Sequence, residues 1–182
     1  MSCDLANGRL EPCKDNVGGL DAIYFINYGI VPIGNITIDA DDMITAATGT
    51  VPIVMYKYEL KGTNTFDQVI NSSRENGTTY VEQTLSVMLK NQDSTTHKAV
   101  KMLSYGRPQI VVKTRTNKFF LAGMEYGMEL TTANVGSGTA LADAQGYTLT
   151  FVGNEKLLAN FIDAADEQAM LFLFDEATVV TD

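Results

Sequence analysis

A mainly β fold, a β-sandwich or barrel-like sandwich with one flanking α-helix, is what this sequence of 182 residues predicts. Three observations carry that expectation. Short stretches of period-two alternation recur along the chain with turn-forming residues between them. One segment alone combines a capping residue with an apolar stripe at helical spacing. The composition, 45% hydrophobic and 19% charged, is that of a chain that packs a core. At this length folding buries roughly 70% of the unfolded surface, so one domain over residues 21–182 suffices.

Residues 1–20 read as an extended N-terminal arm, because Asn7-Gly8, Glu11-Pro12 and Gly18-Gly19 are turn signals without periodicity. Residues 21–28 form the first strand. Its unbroken apolar run, from Ala22 to Ile26, suits a strand covered on both faces. Residues 35–39 alternate as a second short strand, and residues 51–61 as a third. Residues 66–70 continue the sheet. The polar run Asn71-Ser72-Ser73-Arg74-Glu75-Asn76-Gly77 is an exposed hairpin tip. Residues 78–89 then alternate cleanly. Tyr80, Glu82, Thr84, Ser86 and Met88 share one face, and Val81, Gln83, Leu85, Val87 and Leu89 the other.

The helix falls at residues 93–105. Asp93 and Ser94 are N-cap residues, and Ala99, Val100 and Leu103 make the apolar stripe. Gly106 is expected as a left-handed stop ahead of Pro108. A hairpin follows over residues 109–113 and 118–122, and a strand over residues 124–131. Residues 133–145, nearly all Gly, Ala, Ser and Thr, form a long hairpin loop, the kind of segment that is functional or mobile in a compact domain. Residues 146–153 return to strand with Tyr147, Leu149 and Phe151 on one face. Residues 156–165 fit either a short helix or a strand. The apolar run at residues 170–174 reads as a strand that would be an aggregation hazard on an open edge.

The formal charge of −9 argues against a basic nucleic-acid-binding surface. It is also segregated. In residues 1–56 Arg9 and Lys14 stand against seven acids; in residues 57–118 ten basic residues outnumber five acids; beyond residue 118 Lys156 alone faces ten acids. Two readings remain open: solvated faces, or a basic face of one copy meeting an acidic face of the next. Residues 1–20 have no apolar core like that of a secretory signal, and no apolar run approaches the ~20 residues that span a membrane. Cys3 and Cys13 therefore read as reduced structural thiols rather than a zinc site, since His97 is far away in sequence.

The patterns of catalytic chemistry are missing. His97 falls on the polar side of the helix, and no nucleophile elbow, phosphate loop or dinucleotide fingerprint occurs. Gly136-Ser137-Gly138 has an anion-cradle composition without a following helix or Lys. Asp39, Asp41 and Asp42 have the spacing of a hard-cation site without the Gly and distal Glu of a calcium loop. Glu125 and Glu129 are a carboxylate pair without an aromatic sugar platform, the chain having no Trp. The expectation is a protein that is no enzyme and needs no cofactor and no metal.

Four stretches look familiar together: Asn64-Thr65-Phe66-Asp67-Gln68-Val69-Ile70-Asn71, Asn76-Gly77-Thr78-Thr79-Tyr80-Val81-Glu82-Gln83-Thr84-Leu85, Ala122-Gly123-Met124-Glu125-Tyr126-Gly127, and Gly138-Thr139-Ala140-Leu141-Ala142-Asp143-Ala144-Gln145-Gly146-Tyr147-Thr148-Leu149-Thr150. They resemble virion structural proteins of tailed bacteriophages, the tail tube type above all, over roughly residues 50–165. The resemblance implies a β-sandwich with one helix, a long hairpin loop, and arms reaching neighbouring copies. It also implies self-association into stacked rings, with six copies per ring, contacts with other virion proteins, and a conduit through which DNA passes without sequence-specific binding. The protein would be made and assembled in the host cytoplasm and reside in the virion, away from membranes. A connector ring, a tail terminator or a capsid decoration protein is the alternative, and a small carbohydrate-binding or hydrolytic β-domain a more distant one. Expected contacts between copies are Asn71, Ser72, Arg74 and Asn76 at the hairpin tip; Gly136, Ser137 and Gly138 in the small-residue loop; and Lys113 and Arg115 in the basic third.

Overall fold

The computed structural model of the chain describes residues 8–11, 14 and 16–181. Cys3 and Cys13 lie outside the described residues. The described residues ahead of Gly19 are exposed and belong to no helix or strand.

Two sheets face each other. The larger has eight strands, formed by β1 (Leu20–Ile26), β2 (Ile36–Ile38), β3 (Met43–Ala47), β4 (Val54–Glu59), β7 (Gln109–Thr114), β8 (Phe119–Ala122), β11 (Phe161–Ile162) and β12 (Thr178–Val180). Its order is β12-β4-β1-β7-β8-β11-β3-β2. The smaller sheet runs β5-β6-β10-β9, from β5 (Thr65–Ser73), β6 (Thr78–Lys90), β9 (Glu129–Gly136) and β10 (Gly146–Glu155).

The alternation in β6 decides how the sheets pack. Val81, Gln83, Leu85 and Val87 are buried, while their neighbours on the other face are partly or fully exposed. Leu85 and Val87 meet Ile23, Phe25, Ile110 and Val112 of the larger sheet, with Tyr147, Leu149 and Phe151 of β10 beside them. The opposite face of the larger sheet carries a second core of Tyr24, Ile26, Met55, Val111 and Leu121. Burial on both faces is why β1 and β7 read as unbroken apolar runs.

Helix α1 (Ser94–Leu103) starts where the sequence puts it. The Asp93 carboxylate accepts the Thr96 N–H at 2.7 Å, and Val100 enters the inter-sheet core. Its end differs from expectation. Gly106 is not left-handed; the chain leaves through Ser104 in a right-handed conformation, with Ser104 N–H bonded to the Val100 carbonyl.

Further differences lie in the second half. Residues 170–174 are not a strand but belong to helix α2 (Glu167–Leu173) and its cap. Asp166 caps it by accepting the Ala169 N–H at 2.8 Å. Met170 and Phe174, four apart, are buried in the second core, and Phe172 faces out. Helical geometry thus removes the edge hazard that the strand reading carried. Residues 124–128 form a turn rather than strand, closed by Gly127 N–H to the Gly123 carbonyl at 3.1 Å. Gly123 has φ 66, and a Cβ there would lie 2.7 Å from the Gly127 carbonyl carbon, so glycine is required. Ala133–Gly136 is not loop: it pairs with β10, so the connection narrows to residues 137–145. Of residues 156–165, only Phe161 and Ile162 adopt regular structure, as a short strand.

Candidate assembly surfaces

The edges of the two sheets differ in kind. The larger sheet ends on β12 and β2, three residues each. Short edge strands are a usual defence against unwanted pairing. The smaller sheet ends on β5, nine residues, and β9, eight residues. Neither strand contains Pro or Lys, and each carries one charge, Asp67 or Glu129. Their outer backbone groups form two long ladders without a partner strand among the described residues. One irregularity interrupts β9, where pairing shifts between Thr150 and Phe151 of β10. Beyond it, Thr132 to Gly136 pairs regularly.

The outer face of this sheet follows from the register. Tyr80, Glu82, Thr84 and Ser86 of β6 lie opposite Asn71, Val69, Asp67 and Thr65 of β5. On the other side Glu82, Thr84, Ser86 and Met88 meet Asn154, Val152, Thr150 and Thr148. The result is a hydroxyl-rich face whose charges between Tyr80 and Met88 are Asp67, Glu82 and Glu129, with Lys90 at its rim.

The expected contact residues fall in three places. Asn71 and Ser72 lie among the last residues of β5, where Ser72 bonds Thr79 at 3.0 Å; Arg74 and Asn76 occupy the exposed turn to β6. Gly136 ends β9, and its carbonyl accepts the Gln92 side chain at 2.8 Å. Ser137 and Gly138 open a loop held by Asp143, whose carboxylate accepts the Thr139 and Ala140 N–H groups at 2.8 and 2.7 Å. Those N–H groups, Ala140 first, hold the Asp143 carboxyl below its usual range. Leu141 projects from this loop fully exposed. Lys113 and Arg115 are engaged inside the chain. Lys113 pairs with Asp21 at 2.8 Å, and Arg115 donates to the Gly18 and Gly62 carbonyls at 3.2 and 2.9 Å.

Residues that sequence reasoning passed over fix the loops around these surfaces. Gln83, buried among apolar neighbours, accepts the Gly123 N–H at 2.9 Å. Glu155, also buried, accepts Tyr126 N–H at 2.8 Å and Glu125 N–H at 3.2 Å, so one carboxylate holds the turn ahead of β9. Burial pushes its carboxyl up, against the pull of those bonds. Asn64 accepts Met88 N–H at 2.8 Å and pins the start of β5. The signal for Gln83 was present: a lone amide on the apolar face of an alternating strand needs a buried partner.

The residues considered for catalysis are dispersed. His97 is exposed on α1, its ring 6.2 Å from that of Tyr147. Glu125 binds Lys156 at 2.6 Å in the turn, and Glu129 opens β9, so the two do not oppose each other across a sheet. Asp39 spends its carboxylate on the Asp41 and Met43 N–H groups. Among the described residues, no three His, Cys, Asp or Glu side chains group as metal ligands. A groove of about 930 Å³ runs between α1 and the β4/β12 edge, lined in part by Tyr56, Lys57, Glu59, Lys98 and Met102. No helix among the described residues is long and apolar enough to cross a membrane. Comparison with protein-family models, with curated proteins and with solved structures gave no match.

Proposed function

We propose that this chain is a structural subunit of a tailed-phage virion, of the tail tube kind, whose copies join edge to edge into rings that stack around a conduit for DNA. The observation that carries this reading is the four-stranded sheet with both long edges open among the described residues. Every neighbouring pair within it is antiparallel, so β5 and β9 run in opposite directions. When β9 of one copy lies beside β5 of the next, the alternation continues unbroken around a ring. That contact joins different surfaces on the two partners, which is how cyclic rings arise. The hydroxyl and carboxylate face then suits a lumen, because it offers phosphate little to grip.

A connector ring or terminator would use the same edges and close once; stacking separates these readings. Hydrogen exchange on dilute and assembled protein tests the edge contact. Amides of β5 and β9 that exchange fast in the monomer should become protected on assembly. Protection confined to other segments would remove the support for this function.

A further inference from the structure

Of the asparagines along the chain, Asn7 and Asn76 alone are followed by glycine. Asn7 lies outside the described residues. Asn76 sits in the turn of residues 74–77 that joins β5 to β6, just beyond the last paired residues, Ser73 and Thr78. The turn accounts for both residue types. Gly77 has φ 62, a conformation that favours glycine, and the Asn76 N–H bonds the Ser73 hydroxyl at 3.3 Å. The same dipeptide has a chemistry of its own. An asparagine side-chain carbonyl can be attacked by the backbone nitrogen of the next residue, and glycine, with no side chain, hinders that attack least.

Three features leave the attack open in the folded protein. Asn76 is exposed, and its side-chain amide makes no hydrogen bond among the described residues. The Gly77 N–H likewise has no acceptor among the described residues, so its nitrogen is free to lose its proton and react. A Cβ built on Gly77 would meet nothing within 4 Å, so the peptide unit has room to turn toward the side chain. Asparagines elsewhere lack this combination. Asn64 and Asn160 are buried with their amides engaged. Asn91 accepts the Gln92 N–H at 3.0 Å, which occupies the nitrogen that would attack. Asn71 lies in the paired part of β5, opposite Tyr80.

We propose that Asn76 is a self-modification site, converted in the folded protein to aspartate and isoaspartate through a cyclic imide with Gly77. The Gly77 nitrogen, its proton taken by hydroxide, attacks Asn76 Cγ. The N–Cγ bond forms, the Cγ–Nδ2 bond breaks, and Nδ2 leaves as ammonia with protons from solvent. Water then opens the imide. Attack at Cγ restores the ordinary backbone and gives aspartate; attack at the Asn76 backbone carbonyl carbon leaves the chain running through Cγ and gives isoaspartate. The sum is one water in and one ammonia out, with no change of oxidation state. Chain and water supply every atom, so nothing in the step draws on the assembly reading. The charged groups of the turn are Arg74 and Glu75, both exposed and in none of the ion pairs among the described residues. They balance each other, so the product leaves the tip of the hairpin with a net negative charge.

Peptide mapping of the folded, full-length protein tests it. Trypsin cuts after Arg74 and Lys90, and residues 75–90 contain Asn76 as their only asparagine. The protein is held in warm, mildly alkaline buffer without denaturant, sampled over days, digested and read by mass spectrometry with chromatographic separation of the two acid forms. The peptide of residues 75–90 should convert at least tenfold faster than every other asparagine-bearing peptide except that of Asn7. It should yield isoaspartate as well as aspartate, at a rate that rises with hydroxide concentration. Asn76→Gln should lose this acidic species, because the ring from glutamine is larger and closes far more slowly; circular dichroism checks that the variant is folded. Conversion seen only after the protein is unfolded would overturn the proposal, since the folded turn would then hold the nitrogen away from Cγ. Aspartate without isoaspartate would overturn the imide route, and residues 75–90 converting no faster than the remaining asparagine peptides would overturn the site.

Discussion

Proline in β9 separates the contact between copies from the stability of each copy. Thr132 and Ala133 lie in the regular part of the strand, opposite Thr150 and Leu149 of β10. In an antiparallel ladder, consecutive residues point their N–H and C=O groups to opposite sides. One of the two therefore bonds β10, and the other points outward from the edge. The regular stretch from Thr132 to Gly136 offers about five edge bonds, each worth about 1 kcal/mol net, so about 5 kcal/mol of pairing is available per contact. An outward proline removes one donor and disturbs its neighbours, which should cost about 2–3 kcal/mol, or roughly 30- to 150-fold in association. Thr132→Pro and Ala133→Pro should thus split. One lowers the melting temperature of the monomer; the other leaves it within a few degrees and suppresses association in sedimentation velocity. If the variant of unchanged stability assembles like wild type, β9 is not the contact edge and the reasoning is refuted.

Three further outcomes follow from buried polar groups. Gln83→Leu leaves the Gly123 N–H without its acceptor and should cost about 1–3 kcal/mol in urea denaturation, loosening the turn ahead of β9. Tyr24→Phe should be neutral or stabilise by up to about 1 kcal/mol, since the Tyr24 hydroxyl is fully buried beside Glu167 without a hydrogen bond of good geometry. Glu155 should give a pH signature. Burial raises its folded-state pKa above the unfolded one, so the folded protein holds that proton more tightly. On acidification through that window the wild-type protein should gain stability relative to Glu155→Gln; an unchanged gap across pH would contradict the assignment.

How far the fold could be read depended on how local the determinants were. The alternation of β6 and the hairpin of β7 and β8 follow from period and turn chemistry within a few residues. Helix α1 declares itself through Asp93 and its stripe. Helix α2 was hidden because an apolar run of five has no clear period; the i, i+4 pair Met170 and Phe174, behind Asp166 as cap, was the available signal. The last residues of β9 were hidden for the opposite reason. An edge strand exposed on both sides needs no apolar face, so Ala133 to Gly136 looks like loop. Strands β11 and β12 exist through partners distant in sequence, and no local pattern announces them. The expected contacts at the hairpin tip and loop lie on exposed or partly exposed surface, whereas Lys113 and Arg115 bond Asp21 of β1 and the Gly18 and Gly62 carbonyls beside it. The edges that matter most to the proposed function were legible as strands but not as edges, because strand order is a property of the whole chain.

Negative-stain imaging of purified wild-type protein over a concentration series tests edge-to-edge assembly most directly. Uniform rings of one diameter, stacking into filaments of that same diameter, are the predicted result. Monomers at every concentration, or a two-fold dimer that stops there, would contradict it.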